Sequence, residues 1–216
     1  MRSKRALLSN IRLYVIADAD VCGDRDPTTV ALEAVAGGAD LIQWRAKSWT
    51  ARARWQVAHR MAEALRATPA LFVVNDHLDL ALAVGADGVH LGQDDLPLDV
   101  ARRVAGSAMI IGQSTHSVDQ ALAAEAGGAD YIGVGPVFAT PTKPDHRAVG
   151  TELIDAVDGR ITIPYVAIGG IDQRNLPLVL SHGATRVAVV RAVAGAADVR
   201  GAAHAMKTVL VTQGRP

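Results

Sequence analysis

The run Ala83-Val84-Gly85-Ala86-Asp87-Gly88-Val89-His90-Leu91 decides the fold, because the chain uses its pattern four times. The other copies are Ala34-Val35-Ala36-Gly37-Gly38-Ala39-Asp40-Leu41-Ile42-Gln43-Trp44, Ala124-Glu125-Ala126-Gly127-Gly128-Ala129-Asp130-Tyr131-Ile132-Gly133-Val134, and Ser181-His182-Gly183-Ala184-Thr185-Arg186-Val187-Ala188-Val189-Val190. In each, an alanine-rich or apolar helical segment meets a glycine, which can end a helix by adopting positive φ without steric penalty. A short apolar run follows, of the kind that forms a parallel strand buried on both faces. A helix-to-strand turn used repeatedly implies alternating helices and strands, and hence a parallel sheet.

Adding the less regular runs gives eight candidate strands: 12–17, 41–44, 71–75, 88–91, 109–113, 131–135, 165–169 and 186–190. Helical patterns fill the gaps. The clearest is 50–68, where Trp55, Ala58, Ala62 and Leu65 recur at helical spacing with arginines opposite. The expected architecture is one (β/α)8 barrel over residues 1–216. A doubly wound open sheet is the alternative, but it would normally carry a glycine-rich phosphate fingerprint after its first strand, and Asp18-Ala19-Asp20 has none.

At 216 residues the chain is within the range of a single barrel, and its 22 basic and 22 acidic residues balance. No global field steers it to nucleic acid or a membrane surface. No stretch approaches the ~18 consecutive apolar residues of a membrane span, and the basic start lacks the apolar run of a signal peptide. The single cysteine, Cys22, excludes an intrachain disulfide framework and is expected to be an inert loop thiol. These features suit a cytoplasmic protein acting on small molecules, and are compatible with a homo-oligomer.

In a barrel of this kind the strand ends carry the chemistry. Strand two ends in Gln43-Trp44-Arg45-Ala46-Lys47. Arg45 and Lys47 alternate, so both cations face one way and suit a diphosphate; they are equally suited to pairing with neighbouring acids. Strand three delivers Asn75 and Asp76, and strand four leads to Asp95. Two carboxylates with phosphate oxygens suit magnesium, though all three residues also suit helix caps, before His77 and Pro97 respectively. His90 reads as a hydrogen-bonded core imidazole. Strand five closes with Ser114, able to bond a ligand heteroatom, and His116, able to move a proton; Ser117 offers a helix start. The segment Gly135-Pro136-Val137-Phe138-Ala139-Thr140-Pro141-Thr142-Lys143-Pro144 is a stiff polar loop, its donors pre-set by proline. Strand seven exits through Gly169-Gly170 and strand eight through Val190-Arg191, where phosphate commonly docks in such barrels.

Taken in order, Gln43 to Lys47, Val74 to Asp76, His90 to Asp95, Gly112 to His116, Gly135 to Lys143 and Ala167 to Ile171 closely resemble the motifs of the thiamine phosphate synthase family, over nearly the whole chain. That resemblance implies a (β/α)8 transferase joining a hydroxymethylpyrimidine diphosphate to a thiazole phosphate carboxylate, with release of diphosphate. It implies that Gln43, Arg45, Lys47, Asn75 and Lys143 hold the pyrimidine diphosphate, within a Gln43–Lys47 segment that includes Trp44 and Ala46. Asp76 and Asp95 would hold Mg2+, with Ser114 near the pyrimidine. Thr140, Pro141 and Thr142 would meet the thiazole phosphate, and Gly169, Gly170, Val190 and Arg191 would surround its phosphate. Arg45, Ser114 and Lys143 would form the catalytic set. Three positions depart from the family pattern: Trp44 stands where leucine is frequent, Ala46 where glutamate is, and Arg191 where serine is. A thiazole tautomerase of similar fold, with His116 as its key residue, and a non-catalytic phosphate-binding barrel are the alternatives. Neither requires the diphosphate and metal residues.

Overall fold

The computed structural model describes residues 7–140 and 147–213. Eight parallel strands close into one barrel in sequence order: β1 Leu13–Asp18, β2 Leu41–Arg45, β3 Leu71–Asn75, β4 Gly88–Leu91, β5 Ile110–Thr115, β6 Tyr131–Val134, β7 Tyr165–Ile168 and β8 Val187–Val189. Each expected strand is present, displaced by at most two residues at either end, because pairing with neighbours sets the limits. β5, for example, runs on to Thr115, where Ser114 and Thr115 are in register with Gly133 and Val134, and the Thr115 hydroxyl donates to the Gly133 carbonyl at 3.0 Å.

The repeated turn explains how the sheet is stapled at its N-terminal end. Gly38, Gly85, Gly128 and Gly183, one in each copy, all have positive φ. The aspartate that follows in three copies bonds the first amides of an adjoining strand. Asp40 accepts from the amides of Arg12 and Leu13 at 2.7 and 2.9 Å. Asp87 accepts from Phe72 at 2.8 Å, and Asp130 from Ile111 at 2.8 Å. Lys207 and Arg102 pair with Asp40 and Asp130. The fourth copy carries Thr185, whose carbonyl instead accepts from the Arg12 guanidinium.

Helices surround the barrel: α1 Ala19–Cys22, α2 Pro27–Ala36, α3 Ala51–Leu65, α4 Leu78–Val84, α5 Leu98–Ala105, α6 Val118–Ala126, α7 Glu152–Val157, α8 Leu176–Ser181, α9 Arg191–Ala194 and α10 Val199–Gln213. Ser117 caps α6, accepting from the Gln120 amide, as its sequence position suggests. In α3 the stripe of Val57, Ala58, Met61, Ala62 and Leu65 is buried. Trp55, expected on that stripe, is 44% exposed and stacks on His59 one turn later, with ring centroids 5.3 Å apart. Its position lies at the margin of the apolar face, beyond the reach of the barrel. Cys22 is not a loop thiol: it ends α1 and is buried, and loss of solvent pushes its pKa up to about 11. No helix among the described residues is long and apolar enough to cross a membrane.

Two apolar layers result from strand alternation. Leu13, Val15, Ile42, Trp44, Phe72, Val74, Val89, Leu91, Ile111, Ile132, Val134, Val187 and Val189 pack outward with the helices. Tyr14, Ile16, Leu41, Leu71, Val73, Ile110, Tyr131, Val166 and Ala188 fill the interior. Gly112 makes room for the largest of these, since a Cβ there would lie 2.1 Å from the Tyr131 ring.

Two outcomes are expected. Gly112→Ala forces the Tyr131 ring aside and lowers stability by about 1–3 kcal/mol, the usual cost of overpacking, read as a shift of the urea midpoint. The Cys22 thiol of native protein at pH 8 reacts with an aromatic disulfide reagent far more slowly than in urea; equal rates would contradict its burial.

Candidate active site

Interior side chains give way to a cavity of about 860 Å3 at the C-terminal mouth of the barrel. Gln43, Arg45 and Lys47 line it from β2 and the loop beyond, Asn75 and Asp76 from the end of β3 and the turn beyond, Asp95 from the loop after β4, and Ser114 from β5. Thr140, Gly169, Gly170, Val190 and Arg191 line it as well. The barrel thus brings together most of the residues singled out in the sequence. Pro141, Thr142 and Lys143 lie outside the described residues.

Trp44 and Ala46 correct the sequence expectation. Both belong to the outer layer, between sheet and helices, and do not line the cavity. The two-residue period of a strand requires this once Gln43 and Arg45 point inward. Trp44 packs edge-on against Trp49 with centroids 5.6 Å apart, and its indole N–H donates to the Arg54 carbonyl at 3.3 Å. Its role here is packing.

The two cations of β2 are held differently. Arg45 is buried and forms a close ion pair with Asp18 at the end of β1. The other Asp18 oxygen caps α1, accepting from the amides of Asp20 and Val21. Arg45 is therefore held in one place by a carboxylate that is itself fixed, with several of its five N–H donors beyond that pair. Lys47 is largely exposed, and its ammonium lies 3.9 Å from Asp76; such an exposed pair contributes little to stability but places opposite charges together at the rim. Asp18 was not anticipated, although its place at a strand end gave a signal comparable to that of Asp76.

Asp76 is not a helix cap. The cap position of α4 is His77, with no side-chain capping bond. Instead Asp76 has φ of 62°, alone among the described non-glycine residues. Its amide donates to the His90 carbonyl at 2.8 Å, and the His77 amide donates back to the Asn75 carbonyl at 2.7 Å. A backbone in this sparsely populated region costs about 1–3 kcal/mol and recurs at ligand sites. Behind it, burial and the adjacent Arg54 guanidinium lower the His77 pKa. Nor does Asp95 cap α5, whose cap position is Pro97; Asp95 closes its own turn by accepting from the Gly92 amide at 2.6 Å.

Deeper in the cavity the polar groups are hydrogen-bonded to one another. His90, on β4, lies with one ring nitrogen 2.9 Å from the Tyr131 hydroxyl and the other 3.0 Å from that of Ser114. It is hydrogen-bonded as expected, yet it also lines the cavity. His116 lines the mouth, with Nδ1 bonded to the Gly135 carbonyl. Gly169 and Gly170 have φ of 105° and 64°, and any Cβ there would collide with the segment Pro136–Ala139. Phe138 donates its amide to the Gly169 carbonyl at 3.0 Å, so the glycines hold the strand-six loop against strand seven. Asp172 and Arg174 form an exposed pair on the same rim, which lowers the Asp172 pKa.

A cavity at the C-terminal mouth, with charged side chains at its rim and polar ones beneath, defines a class: a (β/α)8 protein with a site for a small polar molecule. A model of the thiamine monophosphate synthase family matches residues 13–193. The chain is 44% identical to the thiamine-phosphate synthase of Halalkalibacterium halodurans over 96% of this chain and 99% of that one. It is 43% identical to that of Coprothermobacter proteolyticus over 97% and 100%. Among solved structures, a thiamine phosphate pyrophosphorylase from Pyrococcus furiosus superposes with a TM-score of 0.87 at 40% identity, covering 95% of this chain and 98% of that one. The chain belongs to the thiamine monophosphate synthase family and is a transferase.

Breaking the Arg45–Asp18 pair tests the geometry of the rim. Asp18→Asn keeps a capping oxygen but leaves a buried guanidinium uncompensated, so stability falls by about 3–5 kcal/mol. An unchanged urea midpoint would show that the pair does not hold the rim.

Proposed function

We propose that the chain joins 4-amino-2-methyl-5-(diphosphooxymethyl)pyrimidine to a thiazole phosphate carboxylate, forming thiamine monophosphate and diphosphate in the cytoplasm. The observation that carries this reading is the convergence of Arg45, Lys47, Asp76, Asp95 and Ser114 on one cavity, in a chain 44% identical to a thiamine-phosphate synthase along nearly its full length. Arg45 and Lys47, with Lys143, neutralise the charge that grows on the leaving diphosphate. Gln43 and Ser114 orient the pyrimidine ring. Bond cleavage gives a pyrimidine-stabilised cation, which the thiazole nitrogen captures while the cavity walls exclude water. Thr140 and Thr142, with Gly169, Gly170, Val190 and Arg191, receive the thiazole phosphate.

The donor chemistry fits magnesium. No group of three or more His, Cys, Asp or Glu able to hold an ion exists among the described residues, but this metal commonly takes only one or two carboxylates together with substrate phosphates. Asp76 and Asp95 would be those carboxylates, and the ion would supply further positive charge to the diphosphate. Lining of the cavity by both acids and bases favours this reading over a tautomerase or a passive phosphate binder, neither of which has a diphosphate to release.

Purified protein supplied with both substrates and magnesium should form thiamine monophosphate; no product at any magnesium concentration rejects the assignment. Arg45→Ala and Lys143→Ala should each lower turnover by roughly 10²–10³-fold, as for loss of one pre-organised charge stabiliser. Asp76→Asn and Asp95→Asn should shift the magnesium titration to higher concentration, and titrations superposable on that of the unaltered enzyme would withdraw the metal role.

A further inference from the structure

Five side chains from five strands form one continuous hydrogen-bonded chain across the barrel interior. Gln43 Nε2 donates to the Tyr14 hydroxyl at 2.6 Å. The Tyr14 and Tyr131 hydroxyls lie 3.2 Å apart, Tyr131 lies 2.9 Å from His90 Nδ1, and His90 Nε2 lies 3.0 Å from Ser114 Oγ. All but Ser114 are buried. Burial pushes the pKa of both tyrosines well up, so each hydroxyl keeps its single proton.

Two proton orders are open to such a chain, since either tyrosine can donate to the other and His90 can carry its proton on either nitrogen. Only one order pairs the protons of both buried tyrosines: with the Gln43 amide donating, Tyr14 gives its proton to Tyr131, and Tyr131 gives its own to His90. A hydroxyl has one proton to give, and a neutral imidazole has one donor and one acceptor nitrogen. With a neutral His90 this order makes Nδ1 the acceptor, puts the proton on Nε2 and makes Ser114 Oγ its receiver. The Ser114 proton is left to point into the cavity that Ser114 lines.

We infer that Tyr14, Tyr131 and His90 are positioning residues that make Ser114 a one-way hydrogen-bond donor, so that the site selects an aza-aromatic ring presenting an unprotonated nitrogen or carbonyl oxygen to it. A ring presenting N–H at that point meets a second donor and leaves both unpaired, the arrangement by which polar sites discriminate most strongly. The interior is built for this chain. Gly112 has no side chain where the Tyr131 ring lies, and a Cβ would come within 2.5 Å of its hydroxyl. The Tyr14 and Tyr131 rings pack edge to face at 6.2 Å. Identification of the ring with the pyrimidine rests on the transferase reading; the direction of the chain does not.

Nitrogen-15 NMR of the full-length protein without ligand tests the direction, with the His90 signals identified by their loss in His90→Gln. A single tautomer protonated on Nε2 is expected. A proton on Nδ1, or a doubly protonated ring, overturns the inference whatever the enzyme catalyses. In the assay, Tyr131→Phe and Tyr14→Phe should raise KM for the pyrimidine diphosphate by about tenfold, the scale of one hydrogen bond, with kcat within about twofold. In a Ser114→Ala background Tyr131→Phe should add no more than about twofold, because its effect passes through Ser114; an equal penalty in both backgrounds makes it a packing residue and also overturns the inference. Should Tyr131→Phe not fold, Tyr14→Phe and the unaltered protein's spectrum still decide. Failure to make thiamine monophosphate sinks the transferase reading and leaves the His90 tautomer, and with it the direction of the chain, unaffected.

Discussion

Closure of eight short strands into a barrel imposes one constraint on everything else: each strand must put alternate side chains inside. β2 obeys it with Gln43 and Arg45 inward and Ile42 and Trp44 outward. The same alternation sends Tyr14 and Ile16 in from β1 and Leu13 and Val15 out. An apolar wall facing the helices and a polar shaft facing the barrel axis therefore come from the same few residues. The site is the upper end of that shaft, where polar side chains replace Leu41, Leu71 and Ile110.

Two kinds of polar structure occupy this shaft, and they divide the work. At the rim, charge is balanced locally, by Asp18 against Arg45 and by Asp76 beside Lys47. These pairs place fixed charges of both signs at the mouth of the cavity. Below it, Gln43, Tyr14, Tyr131, His90 and Ser114 are bonded to one another. Buried polar groups are tolerated when each finds a partner, and a chain of them leaves a defined donor only at its end. Under the proposed function, the charged leaving group would meet the rim and the ring would meet the chain beneath it.

Several features were legible in the chain because their causes are local. A glycine at a helix end and an apolar run of four or five residues depend only on φ preference and burial, so the four turns and eight strands were readable. Arg45, Lys47, Asp76, Asp95 and Ser114 were readable as cavity-lining residues, because each lies at or within a few residues of the end of such a run. Trp55 was misplaced because helical spacing gives the width of an apolar stripe but not how far the neighbouring barrel reaches across it. Trp44 and Ala46 were swept in with their neighbours, although alternation along the strand already set them on the opposite face.

By itself, then, the sequence determined the βα repeat, the strand order that follows from it, and the set of charged residues at the strand ends. Only the tertiary structure decided that Asp18 holds Arg45, that Asp76 sits in a left-handed turn rather than a helix cap, and that Tyr14 meets Tyr131 across the barrel. Those partners are far apart along the chain, 117 residues in the case of the tyrosines. Their contact depends on which residues the closed sheet sets side by side, as Asp18 and Arg45 on β1 and β2, or across the barrel, as the tyrosines on β1 and β6, a relation that no local pattern of residues encodes.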